Sequence, residues 1–214
     1  MRCTKEMMTV YAVTDSHMNQ NMSFYDMVEA VLSHGVTCLQ LREKHLDEKT
    51  LLNEALEVQK LCWKYHVPLI INDDVSLAMR IGADGVHVGQ DDMDVREVRK
   101  LVGEDMIIGA SCHNKEEAVR AEKDGADYLG CGAVFATSTK DNVIPLSKET
   151  LREITSAVHI PVVAIGGIHE DNIVKLAGSG VDGVAVVSAL FASDDPGSAA
   201  ERIYKLVLEM KGEQ

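Results

Sequence analysis

The chain has 214 residues, of which 46% are hydrophobic and 26% charged, and this length and composition predict one globular domain over residues 1–214. The formal net charge of −13 disfavours general binding to nucleic acid or to an anionic membrane, because both would repel the protein. The five cysteines include no Cys-x-x-Cys pair, so a disulfide framework and a zinc site are disfavoured and a reducing cytoplasm is the expected location. No secretion signal and no membrane-spanning apolar run is recognised.

Short apolar runs alternate with longer amphipathic segments along the whole chain, which is the pattern of repeated βα units around a parallel sheet. The clearest helical periodicity runs from Glu48 to Tyr65, with Asp47 as the expected N-cap. The eight runs predicted to form strands are Thr9–Thr14, Thr37–Arg42, Pro68–Asn72, Gly85–Val88, Met106–Ser111, Tyr128–Val134, Val162–Ile165 and Gly183–Val187.

A repeated tripeptide marks four turns where a helix is expected to hand over to a strand. Its copies are Gly35-Val36-Thr37, Gly82-Ala83-Asp84, Gly125-Ala126-Asp127 and Gly180-Val181-Asp182. Glycine is expected to supply the left-handed conformation that ends each helix. Eight units with short connections, and no glycine-rich dinucleotide turn after Thr14, favour a single-domain α/β fold closed as a (β/α)8 TIM barrel. The stretch from Phe135 to Leu146 is then expected to be an active-site loop.

The end of the second predicted strand carries two cations. Gln40, Arg42 and Lys44 recur at a spacing of two residues, so they share the face that points into the barrel mouth. Pairing of the two cations with Glu43, with Asp47 or with an acid of a neighbouring strand is an equally ordinary alternative for such residues. The acidic residues at other strand ends favour the functional interpretation.

Carboxylates follow the third and fourth predicted strands, in Asn72-Asp73-Asp74 and in Gln90-Asp91-Asp92. Because neighbouring units bring these segments to the same mouth, they suit a hard cation such as Mg²⁺, which takes one or two carboxylates and completes its shell with substrate phosphate oxygens. Capping of a helix N-terminus by Asp74 or Asp91 is the structural alternative for some of these acids.

The remaining strand ends are polar or rich in glycine. Ser111 faces the mouth, but no acid is spaced to form a catalytic triad with it. The hydroxyls and the cation of Thr137-Ser138-Thr139-Lys140 suit phosphate oxygens, although a solvated loop would have the same composition. Backbone N–H groups of Gly166-Gly167-Ile168 and Val187-Ser188-Ala189 lie where barrel phosphate sites commonly occur.

These motifs together resemble the thiamine-phosphate synthase family in order and spacing, over nearly the whole chain. The motifs are Gln40-Leu41-Arg42-Glu43-Lys44, Asn72-Asp73, Gly89-Gln90-Asp91-Asp92, Thr137-Ser138-Thr139-Lys140, Gly166-Gly167-Ile168 and Val187-Ser188. A generic phosphate-binding barrel would share only the last two. One position departs, since Ala136 stands where many relatives carry proline.

The resemblance implies a transferase that joins 4-amino-2-methyl-5-hydroxymethylpyrimidine diphosphate to 4-methyl-5-(2-phosphooxyethyl)thiazole, giving thiamine phosphate and pyrophosphate with the help of Mg²⁺. The metal carboxylates would be Asp73 and Asp92, and Gln40 and Ser111 would lie at the pyrimidine. The groups implied around the diphosphate are Arg42, Lys44, Asn72 and Lys140, and those implied around the thiazole phosphate are Thr137, Thr139, Gly167, Val187 and Ser188.

The implied mechanism is dissociative, so that diphosphate leaves before the thiazole nitrogen captures a pyrimidine cation and no protein nucleophile is needed. Arg42, Lys44, Ser111 and Lys140 are the expected catalytic groups. Two rivals remain, a non-synthesising relative such as a thiazole tautomerase or regulatory protein, and a sugar-phosphate isomerase or epimerase barrel. The partners expected are therefore small molecules. Methionines near the amino terminus fit a core or a subunit contact, which leaves a homo-oligomer open.

Overall fold

The computed structural model describes residues 3–18, 21–136 and 146–213. Eight parallel strands pair in chain order, and the last pairs with the first to close a barrel. The predicted fold class is therefore confirmed. The strands are β1 (Val10–Val13), β2 (Cys38–Leu41), β3 (Leu69–Asn72), β4 (Gly85–Val88), β5 (Ile107–Cys112), β6 (Tyr128–Gly132), β7 (Val162–Ile165) and β8 (Gly183–Val186).

Helices follow the strands and form the outer layer. They are α1 (Phe24–Leu32), α2 (Glu48–Tyr65), α3 (Val75–Ile81), α4 (Val95–Val102), α5 (Lys115–Asp124), α6 (Lys148–Thr155), a 3₁₀ helix (Ile173–Leu176), α7 (Ser188–Phe191) and α8 (Pro196–Lys211). Each predicted run contains one observed strand, except that β5 extends one residue beyond its predicted end, to Cys112. Helix α2 has the predicted bounds, and the Asp47 carboxylate caps it by accepting hydrogen bonds from the backbone N–H groups of Lys49 and Thr50.

Alternation along the strands divides the apolar residues into two regions. Side chains that face outward pack against the helices in one large core. Those that face inward fill the lower part of the barrel, namely Met8, Tyr11, Val13, Cys38, Ile70, Ile107, Tyr128, Val163 and Ala185. The methionines near the amino terminus pack in or against these two regions. The barrel is thus solid below, and only its mouth is open to ligands.

The four repeated tripeptides lie directly before strands β2, β4, β6 and β8. Their glycines all have positive φ, as expected, but only Gly82 and Gly125 are helix C-caps, of α3 and α5; Gly35 and Gly180 lie a few residues beyond the helix end. The third residue of each tripeptide accepts a hydrogen bond from a backbone N–H at the start of the preceding strand. These bonds are Val10 N to Thr37 Oγ1, Leu69 N to Asp84 Oδ2, Ile108 N to Asp127 Oδ2 and Val162 N to Asp182 Oδ2.

The helices of the described ranges are too short or too polar to cross a bilayer. All five cysteines are present as free thiols.

Candidate active site

A cavity opens at the carboxyl ends of the strands and reaches down to the tyrosines of the barrel interior. Seven of the residues singled out from the sequence line it, namely Gln40, Arg42, Asn72, Ser111, Gly167, Val187 and Ser188. They come from five strand ends that are spread along the chain. The barrel therefore brings together residues that the sequence associated only by position at strand ends.

Arg42 is free to bind an anion. The sequence left open a pairing of the two cations with Glu43, but Glu43 is buried and accepts hydrogen bonds from Thr14 Oγ1 at 2.8 Å and Ser16 Oγ at 2.7 Å. It thereby anchors the loop after β1. Arg42 forms no ion pair with the described part of the chain, so its guanidinium is available at the cavity wall.

Lys44 and two carboxylates form a cluster beside the cavity. Lys44 Nζ lies 3.5 Å from Asp73 Oδ2. Burial, followed by contact with the Asp92 carboxylate, raises the pKa of Asp73, while Lys44 opposes that rise. Asp92 is held in place because its Oδ2 accepts the Gly89 N–H at 2.8 Å. Asp73 and Asp92 were the predicted metal carboxylates, and the structure brings them into contact.

The backbone at Asp73 is unusual. Its φ is +62°, a conformation that non-glycine residues seldom adopt, and its N–H donates to the His87 carbonyl of β4 at 2.8 Å. Such a conformation typically costs about 1 kcal/mol or more and persists where the surrounding structure imposes it. The fold therefore holds this carboxylate over the end of β3 at some expense in stability.

The neighbouring acids have structural roles. Asp74 caps α3 by accepting the Leu77 N–H at 2.8 Å, which is the structural alternative foreseen for it. Asp91 does not cap α4; Asp94 does, by accepting the Arg96 N–H at 2.9 Å. The described residues contain no group of three or more His, Cys, Asp or Glu side chains arranged to hold a metal.

The floor of the cavity is a chain of hydrogen bonds that the sequence analysis missed, apart from its two ends. Gln40 Nε2 donates to Tyr11 Oη at 2.6 Å, and Tyr11 Oη lies 2.6 Å from Tyr128 Oη. His87 Nδ1 lies 2.9 Å from Tyr128 Oη, and His87 Nε2 lies 3.0 Å from Ser111 Oγ. The chain therefore links Gln40 to Ser111, the two residues that the family resemblance associates with the pyrimidine.

Glycines in the barrel wall make room for this chain. Gly109 pairs in register with His87 on one side and Tyr128 on the other, and a Cβ at Gly109 would overlap both side chains. A Cβ at Gly130 would lie 3.2 Å from His87 Cε1. One feature of the sequence could have indicated this hydrogen-bonded chain. His87 is a polar residue between two valines of β4, at a position that faces the barrel interior.

The loops after β7 and β8 bring backbone N–H groups to the opposite side of the cavity. The N–H groups of Gly167 and Ser188 donate to no described residue, and both residues line the cavity. Gly167 has a φ of +64°, and a Cβ there would overlap the backbone of Phe135 and Ala136. Thr137, Thr139 and Lys140, predicted around the two phosphate groups, lie outside the described residues.

The closed barrel and the polar cavity at the carboxyl ends of its strands define an enzyme of the (β/α)8-barrel class. Residues 10–190 match the model of the family described as thiamine monophosphate synthase. The chain belongs to this family, whose members are transferases that condense a pyrimidine and a thiazole moiety to give thiamine phosphate. The resemblance identified from the strand-end motifs is thus confirmed.

Similarity to individual proteins extends over almost the whole chain. The thiamine-phosphate synthase of Chloroflexus aurantiacus is 46% identical over 199 residues, which are 92% of this chain and 92% of that protein. The thiamine-phosphate synthase of Ruminiclostridium cellulolyticum is 44% identical over 198 residues, 92% of this chain and 94% of that protein. The solved structure of thiamine phosphate pyrophosphorylase from Pyrococcus furiosus superposes with a TM-score of 0.88 at 36% identity, covering 97% of this chain and 99% of that one.

Proposed function

We propose that this chain catalyses Mg²⁺-assisted transfer of the pyrimidine from 4-amino-2-methyl-5-hydroxymethylpyrimidine diphosphate to 4-methyl-5-(2-phosphooxyethyl)thiazole, with release of pyrophosphate. The observation that carries the proposal is the arrangement at one edge of the cavity, where Arg42, which forms no ion pair with any described residue, lies near a cluster of Lys44, Asp73 and Asp92. Anion-binding cations beside paired carboxylates suit a diphosphate and its divalent metal.

Asp73 and Asp92 would hold the metal. Burial, followed by the neighbouring Asp92 carboxylate, raises the pKa of Asp73, and a divalent cation held by the two carboxylates would relieve their repulsion. A pair of carboxylates also fits Mg²⁺, which commonly keeps several water ligands and takes others from substrate phosphates. When bound, Mg²⁺ would neutralise part of the charge that develops on the departing diphosphate.

The chain's own cations would complete the neutralisation of the leaving group. Arg42 would offer two parallel N–H donors to phosphate oxygens, and Lys44 would add a point charge. Asn72 lines the cavity together with Arg42 and also lies beside Lys44 and Asp73. Lys140 would act from the loop after β6. Arg42, Lys44 and Asn72 lie at strand ends of the rigid barrel before any substrate binds, so their stabilisation of the developing charge would cost little reorganisation.

Departure of diphosphate would leave a pyrimidine cation that is stabilised by its own amino group. Gln40 and Ser111 would orient this ring, and its exocyclic carbon would be captured by the thiazole nitrogen. The thiazole phosphate would lie against Thr137, Thr139, Gly167, Val187 and Ser188. The protein would act through positioning and electrostatics, and no protein nucleophile would be required.

The deciding experiment measures pyrophosphate release by the purified protein given both substrates and Mg²⁺, with each component then omitted in turn. Release that depends on all three, with an equal amount of thiamine phosphate formed, is the expected result. Binding of thiamine phosphate without turnover would instead indicate a non-synthesising relative. Turnover of a sugar phosphate without pyrophosphate release would indicate an isomerase or epimerase.

A lysine substitution tests the proposed charge stabilisation. Lys140→Ala is expected to lower kcat by roughly 100-fold, by analogy with the loss of one preorganised charge-stabilising group. Lys100→Ala removes the same charge from α4, where Lys100 pairs only with Glu97 on the helix surface, and serves as the control. If the two variants turn over at similar rates, Lys140 has no such role.

A further inference from the structure

The order of donors and acceptors in the cavity floor follows from counting protons. Burial raises the pKa of both Tyr11 and Tyr128, so each hydroxyl keeps its single proton. Tyr11 Oη accepts from Gln40 Nε2, and within the described residues its only other hydrogen-bond partner is Tyr128 Oη. Tyr11 therefore donates to Tyr128. The proton of Tyr128 must then go to His87 Nδ1.

His87 thereby acquires one defined tautomer. Since Nδ1 accepts from Tyr128, the ring proton lies on Nε2, which donates to Ser111 Oγ at 3.0 Å. The Ser111 hydroxyl is then left with its own proton to donate, and Ser111 lines the cavity. At the other end, Gln40 donates one amide N–H to Tyr11, and its Oε1 forms no hydrogen bond with the described residues.

We propose that Tyr11, Tyr128 and His87 are positioning residues that set the hydrogen-bond polarity of the cavity floor. The floor presents one acceptor, Gln40 Oε1, and one donor, the hydroxyl of Ser111. An aminopyrimidine is complementary to this pair, because its amino group donates and its ring nitrogens accept. The inference rests on the proposed function for the identity of the ring. The polarity itself is a property of the protein and can be measured without substrate.

Because the chain is buried, reversing its hydrogen-bond polarity would cost substantial free energy. Tyr11, Tyr128 and His87 are all less than a tenth exposed, so any donor or acceptor without a partner would cost the full penalty of its desolvation. Turning the Ser111 hydroxyl toward His87 would require every proton in the chain to reverse, including a rotation of the Gln40 amide. The five groups therefore act as one unit.

Two substitutions of His87 separate polarity from mere packing. His87→Gln places an amide N–H near the Nε2 position, from which it donates to Ser111; His87→Asn places its amide near the Nδ1 position and cannot reach Ser111. With the Gln variant, we expect KM for the pyrimidine diphosphate to stay within about 3-fold of wild type, and with the Asn variant to rise by about 10-fold, the value of one hydrogen bond. KM for the thiazole phosphate should change little in both. Equal impairment of the two variants would overturn the proposal.

A tyrosine substitution tests the centre of the chain. Tyr128→Phe keeps the ring in place but removes the proton that fixes the His87 tautomer, and we expect about a 10-fold rise in KM for the pyrimidine diphosphate. Tyr65→Phe is the matched control, since Tyr65 Oη donates to Glu29 on the outer helices at 2.9 Å. Activity of Tyr128→Phe indistinguishable from that of Tyr65→Phe would count against the proposal.

The tautomer can be read directly, whatever the protein turns over. In ¹⁵N-histidine-labelled protein at alkaline pH, where imidazoles are neutral, the His87 signals are assigned by their loss in His87→Gln. A protonated Nε2 is the expected result, with loss of the fixed tautomer in Tyr128→Phe. A protonated Nδ1 would overturn the inference even if the transferase reaction proceeds as proposed. A protonated Nε2 in a protein without turnover would leave the polarity supported and the proposed function refuted.

Discussion

At the scale of single residues, the edge of the cavity contains an acidic side chain, Asp73, whose surroundings lower the stability of the folded protein. Asp73 combines a left-handed backbone conformation with a carboxylate that is partly buried against Asp92. Both features cost stability when nothing is bound. A ligand that neutralises the two acids would recover part of that cost, and this predicts a measurable coupling between metal binding and stability.

Substitution of Asp92 tests the proposed metal site. Asp92→Asn removes one negative charge but keeps an oxygen that accepts the Gly89 N–H, so the loop should retain its conformation. We expect the Mg²⁺ concentration for half-maximal activity to rise by about 10-fold or more, because Mg²⁺ binds through few carboxylates. Asp91→Asn makes the same charge change at an exposed neighbouring position. Metal titrations of the two variants that coincide would move the site elsewhere.

Glu54 on α2 makes stability depend on pH. Burial, followed by the nearby charge of Glu43, raises the pKa of Glu54 to about 7, and its Oε1 has no hydrogen-bond partner among the described residues. The unfolded chain has a pKa of about 4.3 at this position, so the folded state binds the proton more tightly. Its contribution to stability is therefore fully present below about pH 4 and is lost as the pH rises through 7.

Glu54→Gln removes the charge and keeps the shape of the side chain. We expect its Tm to exceed that of the wild type by a few degrees at pH 8, with the difference shrinking as the pH falls from 7 toward 4, because the wild-type carboxyl is then protonated in the folded state and becomes protonated in the unfolded state as well. Glu57→Gln, exposed on the same helix, is the control. A difference in Tm that does not vary with pH would contradict the assigned pKa.

At the scale of elements, the starts of the strands share one type of hydrogen bond. In each odd-numbered strand, a backbone N–H near the start donates to the side chain of the residue that directly precedes the next strand. This acceptor is an aspartate carboxylate in three cases and the Thr37 hydroxyl in the fourth. The sequence showed the repeat but predicted only its glycine. The backbone N–H that donates to the third residue of each tripeptide lies 15 to 27 positions away in the chain. This hydrogen-bond partner could therefore be identified only in the folded sheet.

Substitution of Asp84 tests this type of hydrogen bond at a position away from the cavity. Asp84→Ala leaves the Leu69 N–H without its acceptor, and we expect the free energy of unfolding to fall by about 1–3 kcal/mol. Asp84→Asn keeps a carbonyl acceptor and should lose less. Urea denaturation measures both, while KM and kcat should stay near wild type. Equal losses in the two variants would show that the charge, and not the hydrogen bond, is what stabilises the strand start.

At the scale of the whole molecule, closure of the barrel makes the last helix part of the first unit. Helix α8 packs against α1, β1 and the 3₁₀ helix, and so covers the seam where β8 meets β1. Its buried residues are Pro196, Gly197, Ala199, Ala200, Ile203, Val207 and Met210. The stability of the seam therefore depends on apolar contacts made by the end of the chain with its beginning.

Truncation of one of these side chains should weaken the whole barrel. Ile203→Ala is expected to lower the free energy of unfolding by about 2–5 kcal/mol, because it leaves a cavity in a fully buried site. The exposed neighbour Glu201→Ala should change it by less than about 0.5 kcal/mol. Chemical denaturation followed by circular dichroism provides the values. A loss for Ile203→Ala no greater than that for Glu201→Ala would show that the seam is stabilised elsewhere.

The sequence by itself determined the eight strands, the bounds and cap of α2, and the inward face of Gln40 and Arg42. These features depend on residues within a few positions of one another, and periodicity records such local preferences. Helix capping was the alternative offered for Asp74 or Asp91, and of these two only Asp74 caps a helix, since Asp94 caps α4. A loop with several acids offers more than one local solution, so its sequence does not decide between them.

Only the tertiary structure decided which charges meet. It buried Glu43 against Thr14, left Arg42 without an ion pair in the part of the chain that the structure describes, and brought Asp73 into contact with Asp92. It also joined Tyr11 to Tyr128, which are 117 positions apart, and through them linked Gln40 to Ser111. Such contacts depend on the closed ring of strands and on the space left by glycines such as Gly109, because a side chain's partners are set by what the fold places beside it and not by its neighbours in the chain.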